Sequence, residues 1–181
     1  MKVSATALPG VLLLEPAVFS DARGFLLESW NAQTFAQASG LNQSFVQDNH
    51  SHSLRNVLRG IHYQVVRPQG KLVRVVQGAV WDVAVDLRRS SPHFGRWVGT
   101  ELSAANHRQL WIPPGFGHAF VALSPSADLL YKMTEPWIPA HDRAIAWNDP
   151  QLGIAWPIEG EPLVSEKDRR APPLSQAELF D

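Results

Sequence analysis

Cysteine is absent from this chain of 181 residues. Its absence excludes a disulfide framework and a metal site built on thiolates, and it suits a reducing compartment. Long apolar runs are also missing. The apolar stretch nearest the N-terminus covers only residues 11–14, and no segment approaches the roughly 18 residues that a membrane-spanning helix needs. We therefore expect a cytoplasmic protein that does not associate with a membrane.

Charge is scarce too, since charged residues make up 18% of the chain and the formal net charge is −1. A nearly neutral chain has no overall field to attract nucleic acid, so we expect no nucleic-acid partner, and local basic residues would have to hold any anionic ligand. Hydrophobic residues make up 45% of the chain, which is typical of a folded globular protein. The length suits a single domain over residues 1–181.

Short runs of β-branched and aromatic residues recur along the chain, separated by Gly, Pro, Asn and Ser, which favours a β-sandwich or barrel. The predicted strands are residues 11–14, 25–30, 44–50, 60–66, 71–76, 79–87, 96–102, 109–112, 118–122 and 128–133. Residues 71–87 are the clearest hairpin candidate. Helix is predicted over residues 31–40, which Asn31 can cap and Gly40 can end. Ser175 and Glu178 have capping-box spacing near the C-terminus.

Seven histidines raise two hypotheses, of which the first is a metal site. His50 and His52 would lie on the same face of a strand, which is a useful ligand spacing, and His62 and His118 could complete the set. Against this hypothesis, no second His or Glu follows His62 at a short spacing. His50 and His52 could also simply lie in a polar loop.

The second hypothesis is proton chemistry at His62, within the strand-like sequence RGIHYQVV (59–66). An imidazole oriented by a carboxylate is a good general base near neutral pH, although an isolated His in a strand is more often a satisfied core residue. Lys71 begins the next strand-like run, which could pair with this one, and a Lys beside a base can stabilise an oxyanion. Arg59 and His62 would point to opposite faces of a regular strand unless Gly60 supplies a bulge.

Several motifs occur in order along nearly the whole chain, and together they carry a family resemblance. PPGFGH (113–118) resembles the second cupin signature. A further set of segments resembles the dTDP-4-dehydrorhamnose 3,5-epimerase family: EPAVFSDARGFLLESW (15–30), FVQDNHSHS (45–53), VLRGIHYQ (57–64), QGKLVRVVQGAVWDVAVDLRRSSPHFGRW (69–97), LYKMTEPW (130–137), WNDPQLGIAWP (147–157) and VSEKD (164–168). A series of motifs that occurs in the same order as in the family is far more specific evidence than any single motif.

The resemblance implies an all-β fold, a cupin-type jelly-roll β-barrel with a few short helices. It also implies a homodimer that needs no metal or other cofactor. The implied reaction is epimerisation of dTDP-4-keto-6-deoxy-D-glucose at C3 and C5 to dTDP-4-keto-L-rhamnose, by proton abstraction through an enolate. This is a step of dTDP-L-rhamnose biosynthesis for cell-surface polysaccharides such as lipopolysaccharide.

The family pattern also implies roles for individual residues. His62 would be the base, Asp168 its orienting partner, Lys71 the group that stabilises the C4 enolate oxygen and Tyr131 the acid. The positions that would bind the nucleotide sugar are Arg23, Glu28, Gln47, Asp48, Asn49, Arg59, Lys71, His118, Asp142 and Lys167.

Two departures from the family pattern bear on substrate fit. TEPW (134–137) replaces an aromatic-rich segment, and Asp142 stands where the family often has Glu. An epimerase that acts only at C3 is therefore an alternative. Further alternatives are a metal-dependent cupin oxygenase and a non-catalytic cupin that binds nucleotide sugars. The presence of every proposed proton-transfer residue argues against a purely binding role.

Overall fold

A computed structural model describes all 181 residues of the chain. The strands are β1 (Lys2–Ala5), β2 (Leu12–Glu15), β3 (Val18–Asp21), β4 (Gly24–Leu27), β5 (Gln47–Leu54), β6 (Leu58–Gln64), β7 (Lys71–Gln77), β8 (Ala79–Asp86), β9 (Trp97–Ser103), β10 (Gln109–Ile112), β11 (Phe116–Ala122), β12 (Ser126–Met133) and β13 (Asp142–Ala144). The helices are α1 (Ala32–Ser39) and α2 (Glu166–Arg169), with short 3₁₀ helices at Pro139–His141 and Leu174–Gln176. None of them is long and apolar enough to cross a membrane.

Two antiparallel sheets face each other. The first has the strand order β1-β2-β10-β7-β12-β5 and the second has the order β13-β6-β11-β8-β9, while β3 and β4 pair only with each other. Neighbouring strands are mostly distant in sequence, because the chain crosses repeatedly between the two sheets, as in jelly rolls. The prediction of an all-β jelly roll with a few short helices is confirmed, in a form whose two sheets do not close into one continuous barrel.

Apolar side chains fill three layers. The largest lies between the two sheets and includes Val80, Leu110 and Phe120. Segments near the C-terminus, including Leu174, cover the outer face of the second sheet. Phe35 of α1 covers the outer face of the first. Because much of each sheet is buried on both faces, several strands read as nearly continuous apolar runs, and a polar residue inside such a run requires an explanation.

The predicted hairpin over residues 71–87 is wrong. β7 pairs with β10 and β12, whereas β8 pairs with β9 and β11, so the two strands belong to different sheets. Gly78 joins them with φ of 72°, and a Cβ there would lie 2.1 Å from the Ser126 carbonyl oxygen. The expected pairing of strands 60–66 and 71–76 is wrong for the same reason, since β6 pairs with β11 and β13.

Helix α1 confirms the helix predicted over residues 31–40. The Asn31 side chain accepts hydrogen bonds from two backbone N–H groups of the first turn, and Gly40 ends the helix in the left-handed conformation. Strands β1, β3 and β13 were not predicted. They are short, and each begins or ends in polar sequence, so their alternation is too brief to stand out.

The capping box predicted from Ser175 and Glu178 is wrong. The segment forms the 3₁₀ helix Leu174–Gln176, which has no side-chain cap. A cap forms instead at Ser165, whose hydroxyl accepts the N–H of Asp168 at 3.1 Å and so begins α2. This second helix presents Asp168 to β6 and therefore helps to build the site described next.

Candidate active site

His62 lies in the middle of β6 and faces the space between the sheets. Its Nε2 atom lies 2.5 Å from Oδ1 of Asp168 on α2. The Ser165 cap fixes the start of that helix and hence the position of the carboxylate. The contact orients the imidazole and leaves its Nδ1 atom without a hydrogen-bond partner in the protein.

Asp168 is only 3% exposed. Burial alone would raise its pKa, but the hydrogen bond and charge of His62, with contacts from Ser165 and Gly60, outweigh burial and lower the pKa below its ordinary value. Asp168 is therefore ionised at neutral pH. A buried carboxylate in this position stabilises positive charge on the imidazole that it orients.

A bulge at Gly60 decides where the neighbours of His62 point. His62 lies opposite His118 on β11, whereas Arg59 lies opposite Phe120, so β6 has two residues where β11 has one. Gly60 has φ of 112°, and a Cβ on it would come within 2.5 Å of the His118 carbonyl oxygen. The bulge considered at Gly60 is present, and glycine is needed to form it.

Arg59 leaves the bulge toward the edge strand β5. Its Nε donates to the Ser53 hydroxyl at 3.0 Å, and its Nη2 donates to the His52 carbonyl oxygen at 3.0 Å. Arg59 does not line the space in front of His62. It lies further along β5, where an extended ligand could reach it.

The space in front of His62 is a cavity of about 340 Å³. Residues from both sheets and from the segments at one end of the fold form its walls. The lining residues are Gln47, Asn49, His62, Tyr63, Gln69, Lys71, Tyr131, Met133, Trp137, Asp142 and Lys167. The fold thus brings together side chains that lie as far apart in sequence as β5 and α2, and most of the predicted proton-transfer and binding residues are among them.

Lys71 reaches this cavity from the sheet opposite His62. It is 7% exposed, and its ammonium takes part in none of the ion pairs of the protein. Burial lowers the pKa of Lys71 to about 8, although the carboxylates of Asp142 and Asp82 act in the opposite direction. A desolvated ammonium without a protein partner is well suited to donate to an oxygen of a ligand.

Tyr131 projects from β12, which neighbours the strand of Lys71. Its ring centroid lies 6.4 Å from that of His118 on β11. The Nε2 atom of His118 lies 3.1 and 2.9 Å from the two carboxylate oxygens of Asp82. A second histidine–aspartate pair therefore lies close to the cavity, on the same face of the sheet as His62.

The cavity entrance is polar apart from one indole ring. Asp142 and Lys167 form an ion pair across it. The backbone N–H of Trp137 donates to Oε1 of Gln47 at 2.9 Å, and Gln47 in turn donates to Asn49 at 2.9 Å. Trp137 is 52% exposed, so its ring is available to a ligand at the entrance.

Five of the predicted binding residues do not line this cavity: Arg59 and His118, whose places are given above, and Arg23, Glu28 and Asp48. Arg23 sits at the tip of the β3–β4 hairpin, where it pairs with Asp21 at 2.6 Å and its side chain is 90% exposed. Glu28 lies just before α1, and Asp48 points outward from β5. Within one chain, none of the three lines the cavity of His62.

The four histidines considered as metal ligands do not converge. His50 and His52 lie on the outer face of β5, where their rings contact the Asp128 carboxylate at 2.8 and 3.1 Å. His62 and His118 face the space between the sheets instead. No group of three or more His, Asp or Glu side chains in the chain has an arrangement that could hold a metal ion. The polar-loop alternative for His50 and His52 is also wrong, since both lie in β5.

Sequence reasoning missed Asp82 and Trp137. A signal for Asp82 existed, because it interrupts the apolar run of residues 79–87, and a buried carboxylate needs a polar partner. Trp137 falls within the TEPW departure, which the sequence marked without indicating a contact. Gln69 and Met133, which also line the cavity, carried no signal.

Comparisons with known proteins all point to one group of proteins, the epimerases of dTDP-linked deoxy sugars. The family model of dTDP-4-dehydrorhamnose 3,5-epimerase matches residues 5–176. A dTDP-4-dehydrorhamnose 3,5-epimerase from Pseudomonas aeruginosa is 57% identical over 180 residues, which cover 99% of both chains. A dTDP-4-dehydro-6-deoxyglucose 3-epimerase from Streptomyces bikiniensis is 39% identical over 173 residues, or 95% of this chain and 88% of that one.

A solved structure supports the fold independently. The crystal structure of a dTDP-6-deoxy-D-glucose-3,5-epimerase from Legionella pneumophila, in complex with dTDP-4-keto-L-rhamnose, superposes with a TM-score of 0.95 at 45% sequence identity. The match covers 98% of this chain and 94% of that chain. Together, the family model, the sequence relatives and the fold show that this chain belongs to the dTDP-4-dehydrorhamnose 3,5-epimerase family.

Proposed function

We propose that this chain, an isomerase by its family, epimerises dTDP-4-keto-6-deoxy-D-glucose at C3 and C5 to give dTDP-4-keto-L-rhamnose. The observation that carries the proposal is the cavity in which the His62–Asp168 pair faces Lys71 and Tyr131. A base, an ammonium and a phenol around one space are the groups that proton transfer beside a ketone requires.

The two epimerisations share one electrophile. C3 and C5 both flank the C4 ketone, so loss of a proton from either carbon gives an enolate on the same oxygen. In our proposal the free Nδ1 of His62 takes the proton, because Nε2 is held by Asp168. The imidazolium then forms beside an ionised carboxylate, which stabilises it.

Lys71 is proposed to donate to the C4 oxygen as negative charge develops there. Its burial supports this role, because a hydrogen bond from a desolvated cation to an oxyanion is stronger than the same bond in water. Tyr131 is proposed to return a proton on the opposite side of the carbon. It projects from the sheet that faces His62, which supports delivery of the proton from that side.

The remaining part of the ligand is proposed to extend from the cavity toward β5. Gln47 and Asn49 lie at the cavity, and Arg59 lies further along the same strand, where its guanidinium suits a diphosphate. Asp142 and Lys167 would contact the ligand at the entrance. Recognition of dTDP, like a cytoplasmic location, stays a prediction.

A homodimer is the proposed assembly, because Arg23 and Glu28 are remote from the cavity of their own chain. The β3–β4 hairpin near them exposes Phe19, Phe25 and Leu26 at 68, 61 and 73%. Such an apolar hairpin supports contact with a second copy, whose cavity it would complete.

Sedimentation velocity tests the dimer. Mixing inactive Arg23→Ala and His62→Asn chains should restore activity if each site draws on both subunits.

The proposal is tested by proton NMR of the substrate with the enzyme in D₂O. Deuterium entering at C3 and C5 supports the double epimerase. Exchange at C3 alone would assign the chain to the second candidate, an epimerase that acts only at C3. The Streptomyces bikiniensis relative and the TEPW segment beside the cavity favour testing that candidate. No exchange with folded protein would overturn both.

A further inference from the structure

A second histidine–aspartate pair lies beside the proposed active site and has no part in the chemistry described above. Asp82 belongs to β8 and His118 to β11, and both side chains face the space between the sheets. Asp82 is fully buried and His118 is 6% exposed. Both oxygens of the carboxylate lie within hydrogen-bond distance of the same imidazole nitrogen, Nε2.

Packing gives no reason for a carboxylate at position 82. Its neighbours on the same face of β8 are Val80 and Ala84, which belong to the largest apolar layer. His118 is its only hydrogen-bond partner, and no Arg or Lys pairs with it. A buried carboxylate that one imidazole satisfies is costly compared with an apolar side chain of similar size.

Asp86 on the same strand shows what a structural carboxylate looks like in this protein. It is also fully buried, but Arg88 holds it through Nε and Nη2 at 2.9 and 2.7 Å, and the Ser91 hydroxyl donates to it at 2.6 Å. Its hydrogen bonds stabilise the turn after β8. Asp82 holds no loop in place, and the ring of its one partner, His118, lies 6.4 Å from that of Tyr131 in the proposed active site.

We propose that Asp82 is a positioning residue for the reaction: it holds His118 by Nε2 so that Nδ1 is the nitrogen available to the substrate, and it supplies negative charge near Lys71. The inference rests on the proposed function. In it, His118 hydrogen-bonds to the substrate through Nδ1 from a fixed orientation. The Asp82 carboxylate also places a negative charge near the Lys71 ammonium in the same buried space.

The positioning role of Asp82 can be measured through its effect on Lys71, because Asp82 is one of the charged groups around that ammonium. The groups that face its ammonium are Asp82 of β8, Asp142 of β13 and Lys167 of α2, with His62 across the cavity and Tyr131 on the neighbouring strand. Burial lowers the pKa of Lys71 to about 8, and Asp142 and then Asp82 oppose that change. Removing the charge of Asp82 should therefore lower the pKa of Lys71 further. The high-pH limb of activity should then move to lower pH.

The test compares Asp82→Asn with the matched control Asp86→Asn, by measuring kcat and KM against pH. Asparagine keeps the shape of the side chain and removes its charge. We expect Asp82→Asn to lower kcat about tenfold or more, to leave KM nearly unchanged and to move the high-pH limb downward. Asp86→Asn should lower the unfolding temperature without moving the limb. An Asp82→Asn protein with the wild-type kcat and limb would overturn the proposal.

A second measurement uses the wild-type protein and needs no turnover. Nitrogen NMR of histidine-labelled protein reports which imidazole nitrogen of His118 carries the proton. The proposal predicts a proton on Nε2, and an unprotonated Nε2 would overturn it even if Asp82→Asn does not fold. Because this result is independent of activity, it separates failure of this inference from failure of the proposed reaction.

Discussion

The two histidine–aspartate pairs between the sheets have the same chemistry and different surroundings. The His62 side chain is 32% exposed and opens onto the cavity, while that of His118 is 7% exposed and lies deeper. Their carboxylate side chains are almost equally buried, since 2% of the Asp168 side chain and none of the Asp82 side chain is exposed. We infer that access to the substrate, rather than the residue pair, assigns proton transfer to the first and positioning to the second.

The elements that hold the two pairs differ as well. Asp168 comes from the short helix α2, outside both sheets, whereas Asp82 is part of β8 in the middle of the second sheet. The position of Asp168 depends on a helix of four residues that the Ser165 cap begins, whereas pairing with β9 and β11 on both sides holds the backbone of Asp82. The comparison therefore predicts different responses to the same substitution in the two pairs.

The largest effect is expected from His62→Asn, set against His118→Asn. Loss of the base should lower kcat by roughly 10²–10⁴-fold, because general base catalysis contributes about that much. His118→Asn should lower kcat less, since it removes only an orienting contact. Steady-state kinetics test both variants, with His50→Asn on the outer face of β5 as the control. Equal losses in the two variants would remove the distinction between the pairs.

Tyr131→Phe should come next, with a loss of product on the order of 10²-fold. The variant keeps the ring that packs near His118 and removes only the acid. Exchange of substrate protons with D₂O should continue, because His62 can still remove and return a proton on one side. Product formation followed beside exchange separates the two steps. Wild-type product formation would show that another group is the acid.

Asp168→Asn should lower kcat strongly, though less than loss of His62 itself, because the imidazolium forms without its counter-charge. It should also change the pH dependence of stability. The pKa of Asp168 is lowered in the folded protein, so its contribution is present above the ordinary carboxyl pKa of about 3.9 and is lost as the pH falls through the folded value. Unfolding midpoints of variant and wild type should converge in acid. A constant difference would contradict this.

The smallest effect is expected on the alkaline side of the activity profile. Activity should fall as the pH rises through the Lys71 pKa of about 8, because the neutral amine stabilises an enolate poorly. Lys71→Arg keeps a positive charge at every accessible pH. Its activity at neutral pH should be lower, and its alkaline limb should be absent. A limb that persists in Lys71→Arg would have to belong to another group.

Local signals in the sequence were sufficient to predict some structural elements and insufficient to predict others. Asn31 and Gly40 cap α1 through contacts within a few residues, so the helix could be predicted. Gly78 was read as a hairpin turn, but it joins two different sheets, and that choice depends on partners far along the chain. The Gly60 bulge could be anticipated, because two side chains had to reach one side of a strand.

The residues of the candidate site also differ in whether local sequence could predict them. A role for His62 and Lys71 was suggested by their residue types and neighbourhood alone. Asp168, which lies 106 positions from its partner, could be named only through the family resemblance. Asp82 was passed over, because its meaning depends on which face of β8 it occupies and on the strand that brings His118 beside it.

The most direct test of the account follows deuterium exchange into the substrate in D₂O with wild-type, His62→Asn and His118→Asn enzymes. Circular dichroism establishes beforehand that each is folded. We predict exchange at C3 and C5 for wild type, slower exchange for His118→Asn and no exchange at either carbon for His62→Asn. Exchange at the wild-type rate in folded His62→Asn would contradict the central claim that His62 removes the proton.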